Sequence, residues 1–136
     1  MEYYVLEKDI PLICLAAGFS EGDIERAHEK LQALVSVPQQ RKLVGISFVS
    51  DHGIVPYDAA VEALNEGEGE VLGLETFVLK AGKYMSLLVK GGRQNRDDIG
   101  SAFSKMLFKK HADPEGYCIE WYLNITDVQC MVRLMK

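Results

Sequence analysis

The chain has little basic charge. Its 136 residues include 15 lysines and arginines against 20 aspartates and glutamates, which gives a formal net charge of −5. Contacts with nucleic-acid phosphates need clustered Lys and Arg, so we expect no direct nucleic-acid binding. The densest basic stretch, 105–110, lies at the end of a predicted helix, where cations complement the helix dipole.

Long apolar runs are missing and cysteine is sparse. No run approaches the ~20 residues that a membrane-spanning helix needs, so we predict no membrane segment. The first nine residues carry acidic side chains and no basic cluster, so we expect no signal peptide. The three cysteines, Cys14, Cys118 and Cys130, are odd in number, and each lies in an apolar predicted strand. These features predict reduced core thiols and a cytoplasmic protein.

The sequence also lacks the spacings of common metal and nucleotide sites. His28, His52 and His111 are scattered along the chain and show no metal-ligand spacing. The segment Gly91-Gly92-Arg93 matches no phosphate-binding or dinucleotide pattern, and no nucleophile elbow is present. We therefore predict neither a metal nor a cofactor.

What the chain does contain is one pattern that occurs twice. Hydrophobic periodicity, helix-capping residues and β-branched runs predict a strand, a helix and two strands in each half. The Gly-rich stretch 65–69 is the most loop-like and marks the junction. The predicted elements are a strand at 10–17, a helix between Ser20 and Pro38, strands at 43–49 and 57–64, an extended segment at 74–89 bent at Ala81-Gly82, a helix from about Asn95, and strands at 117–123 and 128–134.

This order predicts an α+β fold in one domain that spans residues 1–136. Two tandem strand-helix-strand-strand units, about 3–64 and 71–136, would be related by a pseudo-twofold axis. They would form an antiparallel sheet with two helices on one face and a ligand cleft between the units.

A single carboxylate interrupts the apolar run 117–123. Burying Glu120 in mid-strand costs free energy unless the charge has a partner. Because side chains alternate along a strand, Glu120 shares a face with Cys118, Tyr122 and Asn124. We expect this polar face to line the cleft, and the opposite face, which carries Ile119 and Trp121, to pack under the helices. The alternative is an edge glutamate that is exposed to water or paired with a lysine.

Aromatic residues complete the candidate ligand-binding set. The hydroxyl groups of Tyr57 and Tyr84 favour a wet cleft over a dry core. The full set comprises Glu120, Tyr122, Tyr57, Tyr84, Phe48 and Trp121, although strand parity favours a core position for Trp121. Cys118 shares the face of Glu120, but a buried inert thiol is the simpler interpretation.

Four short segments resemble the GyrI-like small-molecule-binding domain, the effector-binding domain of AraC-type and multidrug-responsive regulators. They occur in the family's order over about residues 40–134. The segments are Leu43-Val44-Gly45-Ile46-Ser47, Tyr57-Asp58-Ala59-Ala60-Val61, Leu79-Lys80-Ala81-Gly82-Lys83-Tyr84 with Val89-Lys90-Gly91, and Ile119-Glu120-Trp121-Tyr122. Lys80 and Ala60 depart from the family, which commonly has Pro and Gly there.

The resemblance implies two tandem units with an aromatic-lined cleft and the glutamate at its centre. In regulators of this family the glutamate faces lipophilic cations, and some stand-alone members look like hydrolases of strained, electrophilic molecules. Only about nine residues precede the first predicted strand, so we expect a stand-alone sensor domain without its own helix-turn-helix.

Three functional hypotheses follow. The first is a small-molecule-binding or sensing domain for an amphipathic, cationic or aromatic ligand. The second is a small hydrolase with Glu120 and Tyr122 as its catalytic residues. The third is a protein-interaction module of the gyrase-inhibitor kind, with a protein partner or a second copy of the chain bound in a homodimer.

Overall fold

The computed structural model describes residues 2–18, 20–48, 57–107 and 116–134. The predicted α+β class is confirmed, since eight antiparallel strands form one sheet that is accompanied by helices. The strands are β1 Glu2–Leu6, β2 Ile10–Ala17, β3 Leu43–Phe48, β4 Tyr57–Glu62, β5 Glu75–Leu79, β6 Gly82–Val89, β7 Tyr117–Tyr122 and β8 Val128–Arg133; the α-helices are α1 Glu21–Leu34, α2 Glu68–Leu72 and α3 Arg96–Leu107; short 3₁₀ turns span Pro38–Gln40 and Gly92–Gln94.

Most predicted elements are confirmed within a few residues. The predicted cap at Ser20 is present, because its Oγ accepts a hydrogen bond from the Asp23 amide at 3.1 Å. His52, His111 and the basic residues after Leu107 lie outside the described residues. No described helix is long and apolar enough to cross a membrane.

Two elements were not predicted, β1 and α2. Helix α2 begins inside the stretch predicted to be a loop. A tertiary ion pair holds it, since both Nη atoms of Arg41 lie 2.7 Å from the Glu68 carboxylate oxygens. Glu68 also accepts from the Leu64 amide at 2.8 Å. These contacts override the low helix propensity of the Gly-rich sequence.

The sheet carries the predicted twofold symmetry in its strand order, β1-β6-β8-β7-β3-β4-β2-β5. Exchanging β1 with β5, β2 with β6, β3 with β7 and β4 with β8 reverses this order into itself. Each half therefore has the order strand-strand-helix-strand-strand. In the second half, the extended segment 74–89 forms two separate strands, β5 and β6, which are divided at Ala81-Gly82. When β1, β2 and β4 are aligned end to end with β5, β6 and β8, the strand registers agree only if Leu43 of β3 takes the place of Cys118 of β7. With that alignment, Gly45 and Glu120 change places. The axis thus crosses the sheet at the Gly45–Glu120 pair.

Short connections force the sheet to curl. From Leu6 to Ile10 the chain spans at most about 15 Å, yet six strand spacings separate β1 from β2, about 29 Å in a flat sheet. The connection between β5 and β6 imposes the same constraint at the other edge. The two connections meet, because the Ala81 amide donates to Asp9 Oδ1 at 2.7 Å. The sheet edges therefore come together at this end.

The curl decides which face the helices cover, and it corrects one expectation. The inward face carries a core that joins residues of both edge strands, Leu6 and Leu79, to Ile119 near the sheet centre. Trp121 packs against this core, not under the helices as expected. Helix α1 covers Ala59 and Val61, and α3 covers Cys118, Tyr122 and Cys130. This face of β7 is covered by other strands of the curled sheet, which bury Ile119 and partly bury Trp121.

Gly45 provides room for a tyrosine on the helix-covered face. A Cβ at this position would lie 2.5 Å from Cζ of Tyr57, so the ring passes directly over the backbone of β3. Glycine inside a strand often marks such a close approach.

We expect Gly45→Ala to lower the free energy of unfolding by about 1–3 kcal/mol, because the Tyr57 ring must move within a close-packed region. Urea unfolding measures this change. Gly100→Ala in α3 is the matched control, since Gly100 is exposed and a Cβ there meets nothing within 4 Å. That change should stabilise the helix by up to about 1 kcal/mol. Equal stability of Gly45→Ala and the parent protein would contradict the close approach.

Candidate functional site

The candidate site lies where the two halves meet on the helix-covered face. Glu120 of β7 stands at the axis opposite Gly45 of β3. Its neighbours on this face are Tyr122 of β7 and Tyr57 of β4, and α1 and α3 reach them through His28 and Arg96. We call these five residues, Glu120, Tyr122, Tyr57, His28 and Arg96, the central seam.

The Glu120 carboxylate is buried and paired. The residue is 4 % exposed, so the edge position weighed as an alternative is not observed. Its Oε1 accepts from Arg96 Nη2 at 2.8 Å and from the Tyr122 hydroxyl at 2.7 Å. Arg96 Nη1 also reaches the Tyr122 oxygen at 3.3 Å. Burial works against the charge of Arg96, but Glu120 and Tyr122 together outweigh burial and raise the pKa of Arg96 above its ordinary value.

A chain of hydrogen bonds runs from the carboxylate across the sheet to α1. The Tyr122 and Tyr57 hydroxyls lie 2.6 Å apart, and Tyr57 lies 2.8 Å from His28 Nε2. Because Tyr122 gives its proton to Glu120, it accepts from Tyr57. Tyr57 must then accept from a proton on His28 Nε2. This assignment leaves His28 Nδ1 as a buried acceptor that finds no partner among the described residues.

Burial sets the protonation states of His28 and the two tyrosines. Burial lowers the pKa of His28 to about 3, and Arg93 and Arg96 add to the shift, so the imidazole is neutral near pH 7. Burial and the negative charge of Glu120 raise the pKa of both Tyr57 and Tyr122. Both phenols therefore stay protonated and act as hydrogen-bond donors.

The cysteine on this face is a buried, neutral thiol. Burial, reinforced by Glu120, raises the pKa of the Cys118 thiol to about 12, so it stays a neutral thiol near pH 7. Cys14 and Cys130 are likewise buried and free, as predicted for core thiols.

Two guanidinium groups cover the tyrosine rings. Arg96 Cζ lies 5.6 Å from the ring centre of Tyr57, and Arg93 Cζ lies 4.8 Å from that of Tyr122. Arg93 is fixed to the β7–β8 turn, because its amide donates to the Thr126 carbonyl at 3.0 Å and its Nη1 to the Asn124 carbonyl at 3.3 Å. A carboxylate flanked by aromatic faces can bind a cation. Here Arg96 occupies the position at the carboxylate, and Arg93 covers the Tyr122 ring.

The structure brings together three of the six predicted ligand-binding residues, Glu120, Tyr122 and Tyr57. Tyr84, Phe48 and Trp121 belong to the opposite, inward face. The Tyr84 hydroxyl donates to the Lys80 carbonyl and lies 3.0 Å from the Tyr117 hydroxyl. Phe48 stacks edge-to-face near Phe77 and Tyr117, and Trp121 near Tyr4.

Sequence patterns did not single out the other two members of the seam. His28 is 1 % exposed. The signal in the sequence was its spacing from Ile24 and Leu31, which places the imidazole on the apolar face of α1. For Arg96, the signal in the sequence was a basic residue at the start of a predicted helix. It is the first residue of α3, where the helix dipole disfavours a cation.

The described part of the chain also has a cavity away from the central seam. A cavity of about 340 Å³ lies beside β2, β5 and α2, where Pro11, Phe77 and Val78 provide apolar walls and Asp9, Glu66 and Lys80 provide charges. None of its lining residues belongs to the central seam. Among the described residues, no group of three or more His, Cys, Asp or Glu side chains is placed to hold a metal ion.

Comparisons with known proteins establish similarity at the level of the fold. No family model matches the chain, and no curated protein matches it by sequence. Solved structures do match. An integron cassette protein from Vibrio cholerae is 12 % identical with a TM-score of 0.67, and the match covers 98 % of this chain and 95 % of that one. SAV2435, solved bound to tetraphenylphosphonium, is 15 % identical with a TM-score of 0.61, covering 98 % and 94 %.

Two further neighbours are described as hydrolases from Listeria innocua. The one encoded by lin2189 is 8 % identical with a TM-score of 0.60, and the match covers 98 % of this chain and 91 % of that one. The other is 9 % identical with a TM-score of 0.53, covering 98 % and 89 %. At these identities the comparisons support the fold alone.

The buried imidazole predicts a specific loss of stability in acid. Because the pKa of His28 falls from 6.5 to about 3 on folding, the unfolded chain binds the extra proton as pH falls below 6.5. The free energy of unfolding should then decrease by about 1.4 kcal/mol per pH unit from this group alone. The groups that face the ring are Tyr57, Tyr122, Arg93 and Arg96.

The measurement is urea unfolding from pH 7 to pH 4 for the parent protein and for His28→Gln, whose amide can still donate to Tyr57. The carboxylates titrate in both proteins, so the difference between the two curves isolates His28. We expect the variant to lose less stability over this range. Parallel curves would show that His28 is not buried as a neutral ring.

Proposed function

We propose that the protein is a small-molecule-binding domain of the GyrI-like effector-binding kind, which takes an aromatic or amphipathic organic cation at the central seam. The observation that carries this proposal is the buried Glu120 carboxylate, with a guanidinium at hydrogen-bond distance and the rings of Tyr57 and Tyr122 each under a positive charge.

The physical argument concerns charge. An ionised carboxylate in the sheet centre is tolerated only when a cation and hydrogen-bond donors replace its water. A seam that holds one cation through a carboxylate and two aromatic faces has the chemistry to hold another. Tyr122 and Tyr57 add hydroxyl groups, and Gly45 leaves the space in which the Tyr57 ring lies.

The tetraphenylphosphonium bound to SAV2435 is an aromatic organic cation, and we transfer that ligand class to this chain as part of the proposal. The four sequence segments that resemble effector-binding domains support the same assignment. In this proposal the chain acts as a sensor or reservoir for its ligand in the cytoplasm.

The first test is calorimetric titration with tetraphenylphosphonium. We expect binding by the parent protein and at least tenfold weaker binding by Glu120→Gln, which keeps the shape and removes the charge. Tenfold corresponds to about 1.4 kcal/mol. Tetraphenylborate, which has a similar shape and the opposite charge, should bind more weakly than the phosphonium.

Glu68→Gln is the matched control, because it also breaks an arginine–glutamate pair but lies outside the central seam. It should leave the phosphonium affinity within twofold of the parent value. Equal affinities of the Glu120→Gln variant and the parent protein would overturn the proposal and direct attention to another site, such as the cavity beside β5.

Hydrolysis is the second candidate, favoured by the hydrogen-bond chain that links Glu120 to Tyr122, Tyr57 and His28 and by the two neighbours described as hydrolases. Glu120 would activate water, and Tyr122 would donate to the leaving group. Oε1 already accepts two hydrogen bonds, so a water at that oxygen would have to displace Arg96 or Tyr122.

A panel of ester and strained-ring substrates tests this candidate. If the protein is a hydrolase, turnover should be present in the parent protein, absent in Glu120→Gln and at least tenfold slower in Tyr122→Phe. Turnover that survives Glu120→Gln would exclude this residue as the base, and absence of turnover across the panel would leave binding alone.

A further inference from the structure

The cation position of the central seam is already taken by the chain itself. Arg96 lies 2.8 Å from the Glu120 carboxylate and 5.6 Å from the centre of the Tyr57 ring. We infer that Arg96 is a displaceable internal cation, which competes with the ligand for Glu120 and restricts entry to molecules that bring a positive charge of their own. This inference rests on the proposed function and adds a specificity-determining residue to it.

The relative exposure of the two side chains supports displacement. The Glu120 side chain is 5 % exposed, whereas that of Arg96 is 16 % exposed. Arg96 is therefore the more accessible partner of the pair, and we expect it to be the one that leaves. A ligand that arrives from solvent meets the guanidinium before it meets the carboxylate.

The contact with Glu120 explains why the Arg96 side chain points inward, because the position of Arg96 in its helix does not favour a cation there. Arg96 is the first residue of α3, where the helix dipole repels a cation. The next two residues, Asp97 and Asp98, are acids that suit this end of the helix. Once another cation neutralises Glu120, the helix itself favours withdrawal of Arg96 toward water.

Charge selection follows from the same geometry. A neutral molecule that displaced Arg96 would leave Glu120 buried without a cation, which is strongly unfavourable. A cationic molecule replaces the guanidinium and restores the pairing. Arg93, which covers the Tyr122 ring and is fixed to the β7–β8 turn, stays in place and repels the incoming charge, so ligands with a diffuse, shielded charge should bind best.

The experiment compares tetraphenylphosphonium binding to the parent protein, Arg96→Gln and Arg96→Lys by calorimetry. Removal of the competitor should tighten binding at least tenfold in Arg96→Gln. Lysine keeps a cation but offers a single ammonium group, so Arg96→Lys should lie between the two. Arg26→Gln is the matched control, because it changes net charge equally at an exposed pair with Asp23, and its affinity should stay within twofold of the parent value.

A second measurement needs no variant and avoids any loss of folding. The chain has five arginines, so the side-chain Nε–H signals of the ¹⁵N-arginine-labelled parent protein can be resolved by NMR. Addition of tetraphenylphosphonium should shift the Arg96 signal toward that of a solvent-exposed arginine and leave the Arg41 signal in place.

The outcomes separate this inference from the proposed function. If the parent protein binds through Glu120 but Arg96→Gln binds equally or more weakly, Arg96 is part of the receptor and the competition is refuted while the function stands. An Arg96 signal unmoved by saturating ligand would refute it likewise. If neither the parent protein nor Arg96→Gln binds the phosphonium, the proposed function fails and this inference fails with it.

Discussion

The charge pair between Glu120 and Arg96 is the interaction on which the centre of the molecule depends. A carboxylate in mid-strand loses its water on folding, and that loss is tolerable only where a cation and hydrogen-bond donors take the water's place. Arg96 arrives from α3 and Tyr122 from the same strand as the acid. Tyr57 and His28 extend the hydrogen bonds to β4 and α1. One buried charge thereby ties the two halves of the chain together.

The twofold relation places this charge beside a glycine. Under the exchange of halves, Glu120 takes the place of Gly45, and Tyr122 that of Ser47. At these two equivalent positions the first half has the small residues Gly45 and Ser47, and the second half has Glu120 and Tyr122. At the axis the two equivalent positions lie side by side, and the glycine of one copy leaves room for the Tyr57 ring next to the Glu120 of the other copy. The duplicated fold thus creates an asymmetric site from a symmetric frame.

Local pattern predicted much of the fold and about half of the candidate site. Periodicity and capping located α1, α3 and most strands, and alternation correctly placed Tyr122 beside Glu120. Alternation cannot say which face lies under the helices, because that depends on the curl imposed by two short connections distant in sequence. The expectation for Trp121 was wrong for this reason, and Tyr84 lies on the other face from Glu120. His28 and Arg96 reach Glu120 and its tyrosines across long sequence separations, which no local pattern encodes.

A crystal structure of the protein with tetraphenylphosphonium tests the central claim most directly. We expect the phosphonium to lie against the Glu120 carboxylate and the Tyr57 ring, and the Arg96 guanidinium to point into solvent. A phosphonium bound elsewhere, such as in the cavity beside β5, with the contact between Arg96 and Glu120 intact would contradict it.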